Sequence, residues 1–266
     1  MAFTIDRVRR ITAYAASNKL AADNHGVAID IGDILYTIKD VSNFSISNSA
    51  ETVDAVDGLG NVIDTYLRSK TAEMSGENAI FDLPLAAAMA GTKVSTGAVD
   101  INFHDVLTVA KGATEVTLSR TPKAEGGEPV IMYTVSKDGT LKDKLVISDD
   151  GDASYADGKI TLKAALSTEE DVNVFVPYTY TEDNATKFEN FADAATIPSR
   201  VVVEGLGRDV CTHAQVYFYI TAGYAELAYD GEFGFNTDST YNFTLNCKKP
   251  YCENTGLYSV IVVDAE

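Results

Sequence analysis

The chain has 266 residues, with 21 lysines and arginines against 39 acidic residues and a formal net charge of −18. Apolar residues make up 45 % and charged residues 23 %, a balance that excludes wholesale disorder and allows a sizeable core. No apolar run approaches the roughly 18 residues of a membrane span, and the first residues lack the apolar core of a secretory signal. We therefore expect a protein that is made in the cytosol and does not contact a membrane.

The acidic excess is spread along the chain, so the sequence predicts no basic face and disfavours tight phosphate binding. The simplest explanation of this charge is a soluble acidic surface.

The N-terminal part is dominated by strand patterns. Residues 6–16 are the exception, because they fit either a weak helix or an extended arm. Glycines at Gly58 and Gly60 mark a turn, and residues 61–77 then alternate over a length that suits a large sheet. The preceding short strands are expected at Val27–Ile31, Ile34–Ile38 and around Phe44.

One helix is expected, at Phe81–Ala90, where alanine and leucine favour helix formation. Asp82 can cap its first turn, Pro84 lies early enough to be tolerated, and Gly91 is a natural stop. The helix is apolar all round, which predicts burial.

Residues 113–185 are expected to form a separate small β module, because short strands recur at regular spacing between glycine-containing turns. Longer strands follow. The predicted fold is therefore mainly β: a β-sandwich or barrel domain formed by 1–112 and 186–266, with one buried alanine-rich helix and an inserted Ig-like β-sandwich module at 113–185.

Catalytic motifs are not found in the sequence. It lacks the nucleophile elbow G-x-S-x-G, the phosphate-binding loop and the H-E-x-x-H zinc motif, and it has no tryptophan for a sugar-binding site. We predict that the protein is not an enzyme and has no required cofactor. A carbohydrate-active enzyme that uses acidic residues is a disfavoured alternative.

A zinc site is the one metal hypothesis that the residue types allow. Cys211 and His213 form one local pair, and Cys247 and Cys252 form another. Three thiols and an imidazole suit tetrahedral zinc, but the spacings are not those of a zinc finger. Buried inert cysteines, or oxidation of the Cys247/Cys252 pair after cell lysis, are the competing interpretations.

Three segments have patterns that are more specific than those of a general β protein. Residues 39–91 combine an acidic strand, a glycine turn, a long R-x-K strand and S-G-E-N-A before the alanine-rich helix. The other two segments are residues 104–123, HDVLTVAKGATEVTLSRTPK, and residues 187–264, from KFENFADAATIPSRVVVEGLGRDVC to LYSVIVVD. In that order, the three segments resemble the core of tail tube proteins of tailed bacteriophages, the link from that core to an extra module, and the C-terminal half of the same proteins.

The resemblance implies a virion tail subunit, assembled in the host bacterial cytoplasm, that forms hexameric rings stacked into a hollow tube. Genome DNA would pass through the tube without specific binding. The implied partners are the subunit itself, the tape measure protein, the tail terminator, the baseplate and, in a contractile tail, a sheath.

Acids that line the bore would repel DNA phosphates, and the first block of acids is our candidate set for the lumen: Glu51, Asp54, Asp57, Asp64 and Glu73. Two other structural classes stay open: another virion protein, of the capsid or baseplate, and an Ig-like surface adhesion protein.

Overall fold

The computed structural model describes residues 2–20, 27–39, 41–123, 126–229, 236, 240–250 and 256–264. The predicted mainly β fold is confirmed. In chain order the elements are β1 (Phe3–Ala15), β2 (Ile34–Lys39), β3 (Val41–Val56), β4 (Val62–Asn78), α1 (Leu83–Met89), β5 (Ser95–Val109), β6 (Glu115–Thr117), β7 (Ile131–Val135), β8 (Leu141–Val146), β9 (Ala153–Ala156), β10 (Lys159–Leu162), β11 (Val172–Lys187), β12 (Ser199–Asp209), β13 (Gln215–Leu227), β14 (Tyr241–Cys247) and β15 (Ser259–Asp264).

The chain divides into two compact units. The first comprises Met1–Ser95 with Lys187–Glu266, and the second comprises Thr96–Thr186. The sequence pattern starts the inserted module at residue 113, whereas the contacts start the second unit at Thr96. The difference arises because β5 pairs with β11 inside the second unit.

A single sheet forms the first unit, in the order β2-β1-β12-β13-β14-β4-β3, with β15 paired to β13 beside β14. The edge strands β2 and β3 stand at opposite ends of this order, although a single residue separates them in sequence. The sheet therefore folds back on itself into two layers around one apolar core, as in sandwiches whose strands switch sheets at a corner. Among the largest core side chains are Tyr36, Ile11, Met74, Phe243 and Leu245.

Two predictions near the N-terminus are wrong. The segment expected to be a helix or an arm is strand β1, because Ile11, Ala13 and Ala15 alternate into the core while the backbone pairs with β12 and β2. The strand expected at Val27–Ile31 is also not formed. There Ile29 makes only an isolated bridge to Lys19, although its side chain is buried.

The predicted helix is confirmed as α1, which is slightly shorter than expected. The Asp82 carboxylate accepts a hydrogen bond from the Leu85 amide at 2.9 Å, and Pro84 lies in the first turn. Gly91 follows with φ of 71°, a conformation that favours glycine at a helix end. No helix in the described part of the chain is long and apolar enough to cross a membrane.

The second unit is a two-layer β-sandwich. Its sheets have the orders β5-β11-β7-β8 and β6-β10-β9, and they share an apolar core that includes Met132, Ile160, Val174 and Val176. The chain enters this unit at Thr96 and leaves it at Thr186, and the hydroxyl oxygens of these two threonines are 3.5 Å apart. The Ig-like character of the module stays a prediction.

A buried carboxylate joins two segments of the sandwich. Asp105 is 6 % exposed and accepts hydrogen bonds from the Ser119 amide at 2.8 Å, from the Ser119 hydroxyl, and from the Tyr178 hydroxyl at 2.9 Å. Burial alone would raise the pKa of Asp105, but the Ser119 and Tyr178 hydrogen bonds outweigh it and lower that pKa. The ionised form is therefore the one that stabilises the fold.

We expect Asp105→Asn to destabilise the second unit by about 2 kcal/mol, because the amide cannot accept from all of these donors. In the wild type, a lowered folded pKa means that this contribution is present above the unfolded pKa of about 3.9 and is lost as the pH falls through the folded value. Hydrogen exchange of peptides that cover residues 103–120 would report both effects. The exposed Asp150→Asn is the matched control, and equal exchange in the two variants would contradict the prediction.

Candidate assembly surface

The β3–β4 hairpin extends well beyond the sheet that supports its base. Strand β14 pairs with β4 only from Ala72 to Asn78. Between Ala72 and Val62, β4 pairs only with β3. We call residues 49–71 the hairpin arm. At a rise of about 3.4 Å per residue, the ten steps from Ala72 to Val62 span roughly 30 Å.

The arm is almost wholly exposed and nevertheless apolar in part. Leu59 at its tip is 90 % exposed, Ile63 is 69 % exposed and Leu67 is 62 % exposed. Large apolar side chains gathered on one exposed element are typical of an interaction surface. The exposed set in the arm is Val53, Val56, Leu59, Val62, Ile63, Tyr66 and Leu67.

The arm also presents open strand edges. β3 ends the sheet order, so its outer edge has no partner among the described strands, and the far edge of β4 is open beyond Ala72. Unpaired backbone amides and carbonyls on a long strand form a template for another strand. The geometry therefore suits addition of a strand from another chain.

The tip of the arm is held in shape by Asp57. Its carboxylate accepts from the Leu59 and Asn61 amides, both at 2.8 Å, and from the Asn61 side chain at 2.9 Å. The Asn61 side chain, followed by these backbone donors, lowers the pKa of Asp57. Gly60 supplies the positive φ of 89° that the turn needs.

The two faces of the hairpin differ in chemistry. Directly paired residues of an antiparallel pair share a face, and the faces alternate along each strand. The core-side face has buried Met74 and Ala72 at the base and exposed Leu67 in the arm. The opposite face, called the polar face, has Ser45, Ser47, Ser49, Glu51, Val53 and Ala55 on β3, paired with Ser75, Glu73, Thr71, Ser69, Tyr66 and Asp64 on β4.

The register separates the five candidate lumen acids. Glu51, Asp64 and Glu73 lie on the polar face, whereas Asp54 pairs with Thr65 on the core-side face and Asp57 lies in the turn. Three of the five acids therefore share one face of the hairpin. Register shifts next to Glu51 and Ala55 leave Arg68 and Ile63 of β4 without partners on β3. Strict alternation along β4 would therefore assign residues beyond each shift to the wrong face of the arm.

The structure does not bring the proposed zinc ligands together. Cys211 is exposed in the turn before β13, next to His213, while Cys247 pairs with Ala225 ten residues along that strand. That separation is about 30 Å, far beyond a metal-ligand distance of about 2.3 Å. Cys252 lies outside the described residues, and among those described no cluster of three or more metal-ligand side chains occurs.

Cys247 fits the competing interpretation of an inert buried thiol. It is 4 % exposed, and burial raises the pKa of its thiol to about 11. A thiol that stays protonated near neutral pH is a poor nucleophile.

Charge is unevenly distributed over the first unit, so the expectation of no basic face is wrong. Strands β1, β2 and β12 together have three acids, Asp6, Glu204 and Asp209, against six cations, Arg7, Arg9, Arg10, Lys39, Arg200 and Arg208. Strands β3, β4 and β14 show the reverse, with Arg68 and Lys70 against Glu51, Asp54, Asp64, Glu73 and Glu77. Net charge along the sequence conceals this contrast because pairing between distant segments creates it.

Comparison with known proteins gives one family. The model of the YomU/Tube protein family matches residues 28–258, which include the arm and the second unit. No curated protein matches the chain. The family description names a tube protein, which favours a structural component of a phage tail over an enzyme. Because the family model matches most of the length of the chain, the chain belongs to the YomU/Tube protein family.

Proposed function

We propose that the chain is the subunit of a phage tail tube, in which copies associate into hexameric rings that stack into a hollow conduit for genome DNA. The hairpin arm is the observation that supports this proposal best. An arm about 30 Å long, with open edges and exposed apolar side chains, tends to associate with other chains when the subunit is alone. In a closed ring the same features become the contact between neighbours.

The contact that the arm favours is heterologous. One copy offers the arm, and the next copy offers a different surface to cover it. Contacts of this kind close into rings when the rotation between copies divides a full turn. Pairing of strand edges between copies would remove the exposed edges, as closure does in a β-barrel. Leu67 and Val62 on the core-side face would then be buried against the neighbouring copy.

The polar face is the natural wall of the bore. Its hydroxyl side chains are uncharged, and Asp64 and Glu73 add negative charge. Arg68, the cation beside this face, is paired with Glu51 at 2.9 Å. A lysine–phosphate contact would have to be broken at each step of DNA movement, whereas repulsion leaves the DNA free to move. The screening length of about 8 Å at physiological salt confines this effect to the vicinity of the wall.

The proposal places the protein in the virion tail, after assembly in the cytoplasm of the host bacterium. The tape measure protein would lie within the growing tube, the terminator and baseplate at its ends, and a sheath around it in a contractile tail. No catalytic step is needed, since the function arises from repetition of one surface.

Negative-stain electron microscopy over a concentration series tests the proposal. We expect hollow filaments or six-fold rings from the purified protein, because the arm of each copy can contact a different surface of the next copy. Closed shells would instead support a capsid protein. Monomers at every concentration, together with binding to a glycan array, would support a surface adhesion protein and contradict the tube.

A further inference from the structure

A cluster of cations stands out on the first unit of this acidic protein. We define the cationic strip as the six basic residues of β1, β2 and β12: Arg7, Arg9, Arg10, Lys39, Arg200 and Arg208. All six are exposed, in a chain whose net charge is −18. Arg200 lies over the Tyr14 ring at 5.2 Å. For most of the other members the described residues offer no counterion.

One row of the sheet shows the imbalance directly. Lys39, Arg10 and Glu204 lie side by side on three adjacent strands, because Arg10 pairs with Lys39 on one side and with Glu204 on the other. Arg10 binds both Glu204 oxygens at 2.8 Å. Lys39 is left opposite a like charge, an arrangement that destabilises a sheet pair. Glu204 therefore neutralises Arg10 alone, and a further anion beside Lys39 would relieve the repulsion.

Backbone irregularities bring additional cations to the same surface. Two register shifts in β1 leave Asp6 and Arg9 without direct partners on β12. Arg9 then lines a depression of 220 Å³ together with Arg10, Lys39 and Glu204. Arg7 and Arg208 line a second depression, of 340 Å³, with His213 and Asp6. Among the described residues, Arg7, Arg9, Lys39 and Arg208 form no ion pair.

We propose that the cationic strip docks on an acidic surface of a second copy of this chain. The inference rests on the proposed function, which requires copies to abut. Charge complementarity selects the occupant: each copy has a net charge of −18, so another copy offers, on surfaces outside the bore, the carboxylates that the strip lacks. Without such contacts, rings of like charge repel one another. The strip would convert that repulsion into an oriented contact.

The double charge reversal R7E/R9E tests this inference. Both arginines are exposed and neither forms an ion pair with a described residue, so the variant should fold with an unchanged melting temperature. K142E/K144E, on exposed lysines of β8, changes the net charge by the same amount and is the matched control. Sedimentation velocity and negative-stain microscopy at 50 and 500 mM NaCl measure assembly for each protein. R7Q/R9Q provides a second variant if the reversal impairs folding.

We expect R7E/R9E to need at least a tenfold higher concentration to assemble at low salt, and the control to stay within twofold of the wild type. Equal assembly of the two variants would overturn the inference and leave the tube intact. A wild type that stays monomeric would overturn both. Binding of labelled double-stranded DNA to the wild type, lost in R7E/R9E, would also overturn the inference, because the strip would then bind nucleic acid.

Discussion

Replacement of Leu67 by aspartate is expected to abolish filament formation and to leave the melting temperature of the subunit unchanged. Leu67 is 62 % exposed in the isolated chain, so the fold loses little when it changes. In a ring the side chain would be buried on the core-side face of the arm. Loss of about 2 kcal/mol of burial raises the assembly concentration roughly thirtyfold, before the cost of burying a charge is added.

Val106→Asp is the control for this variant. Val106 lies on β5 of the second unit and is also 62 % exposed, so both changes place one new charge on a comparably exposed apolar position. Filament length by microscopy and melting temperature by circular dichroism separate assembly from folding. Normal filaments from Leu67→Asp would mean that the arm does not contact a neighbour, and the tube proposal would lose its main support.

Gly205→Ala is expected to destabilise the first unit by about 2–3 kcal/mol, which corresponds to a fall of roughly 4–12 °C in melting temperature. Gly205 pairs across the sheet with Phe218, and an added Cβ would lie 2.0 Å from the ring carbon Cζ. The ring is 3 % exposed and cannot move without disturbing the core. Gly76 and Phe243 repeat the same cross-strand arrangement, and a Cβ added at Gly76 would lie 2.7 Å from Cζ of Phe243.

Gly223→Ala on β13 is the matched control for Gly205→Ala. A Cβ there has no heavy atom within 4 Å, so the change should be neutral or slightly stabilising. Phe218→Leu should reduce the cost of Gly205→Ala, because it removes the ring that the new methyl group meets. Thermal unfolding of the two single variants and of the double variant gives the coupling energy. Simple additivity of the two changes would contradict the proposed clash.

Local patterns predicted the elements whose signals lie close together in sequence. Asp82, Pro84 and Gly91 define the helix within ten residues, and the alternation after Asn61 predicts the long strand β4. The prediction for residues 6–16 was wrong because Arg7, Arg9 and Arg10 interrupt the apolar alternation of β1. Its strand state depends on backbone pairing with β12, some 190 residues away, which no local pattern reveals.

The candidate site was predictable only in outline for the same reason. Position in one block of the sequence suggested that five acids act together, but side-chain alternation along β3 places Asp54 on the face opposite Glu51. The two cysteine-containing pairs have residue types that suit zinc but lie far apart in space. Cys211 precedes the start of β13, whereas Cys247 pairs with Ala225 near the end of that strand. The cationic strip combines residues 7–10 with residues 200–208, and this juxtaposition requires the fold.

The entry and exit of the second unit have a consequence for how such a protein diversifies. Thr96 and Thr186 are neighbours, so the inserted segment begins and ends at nearly one point. A short turn could bridge that point, and any foreign domain whose termini lie about 5 Å apart could occupy it. We therefore expect the second unit to be exchangeable for another domain, in which case a filament of such subunits would present the new domain at regular intervals.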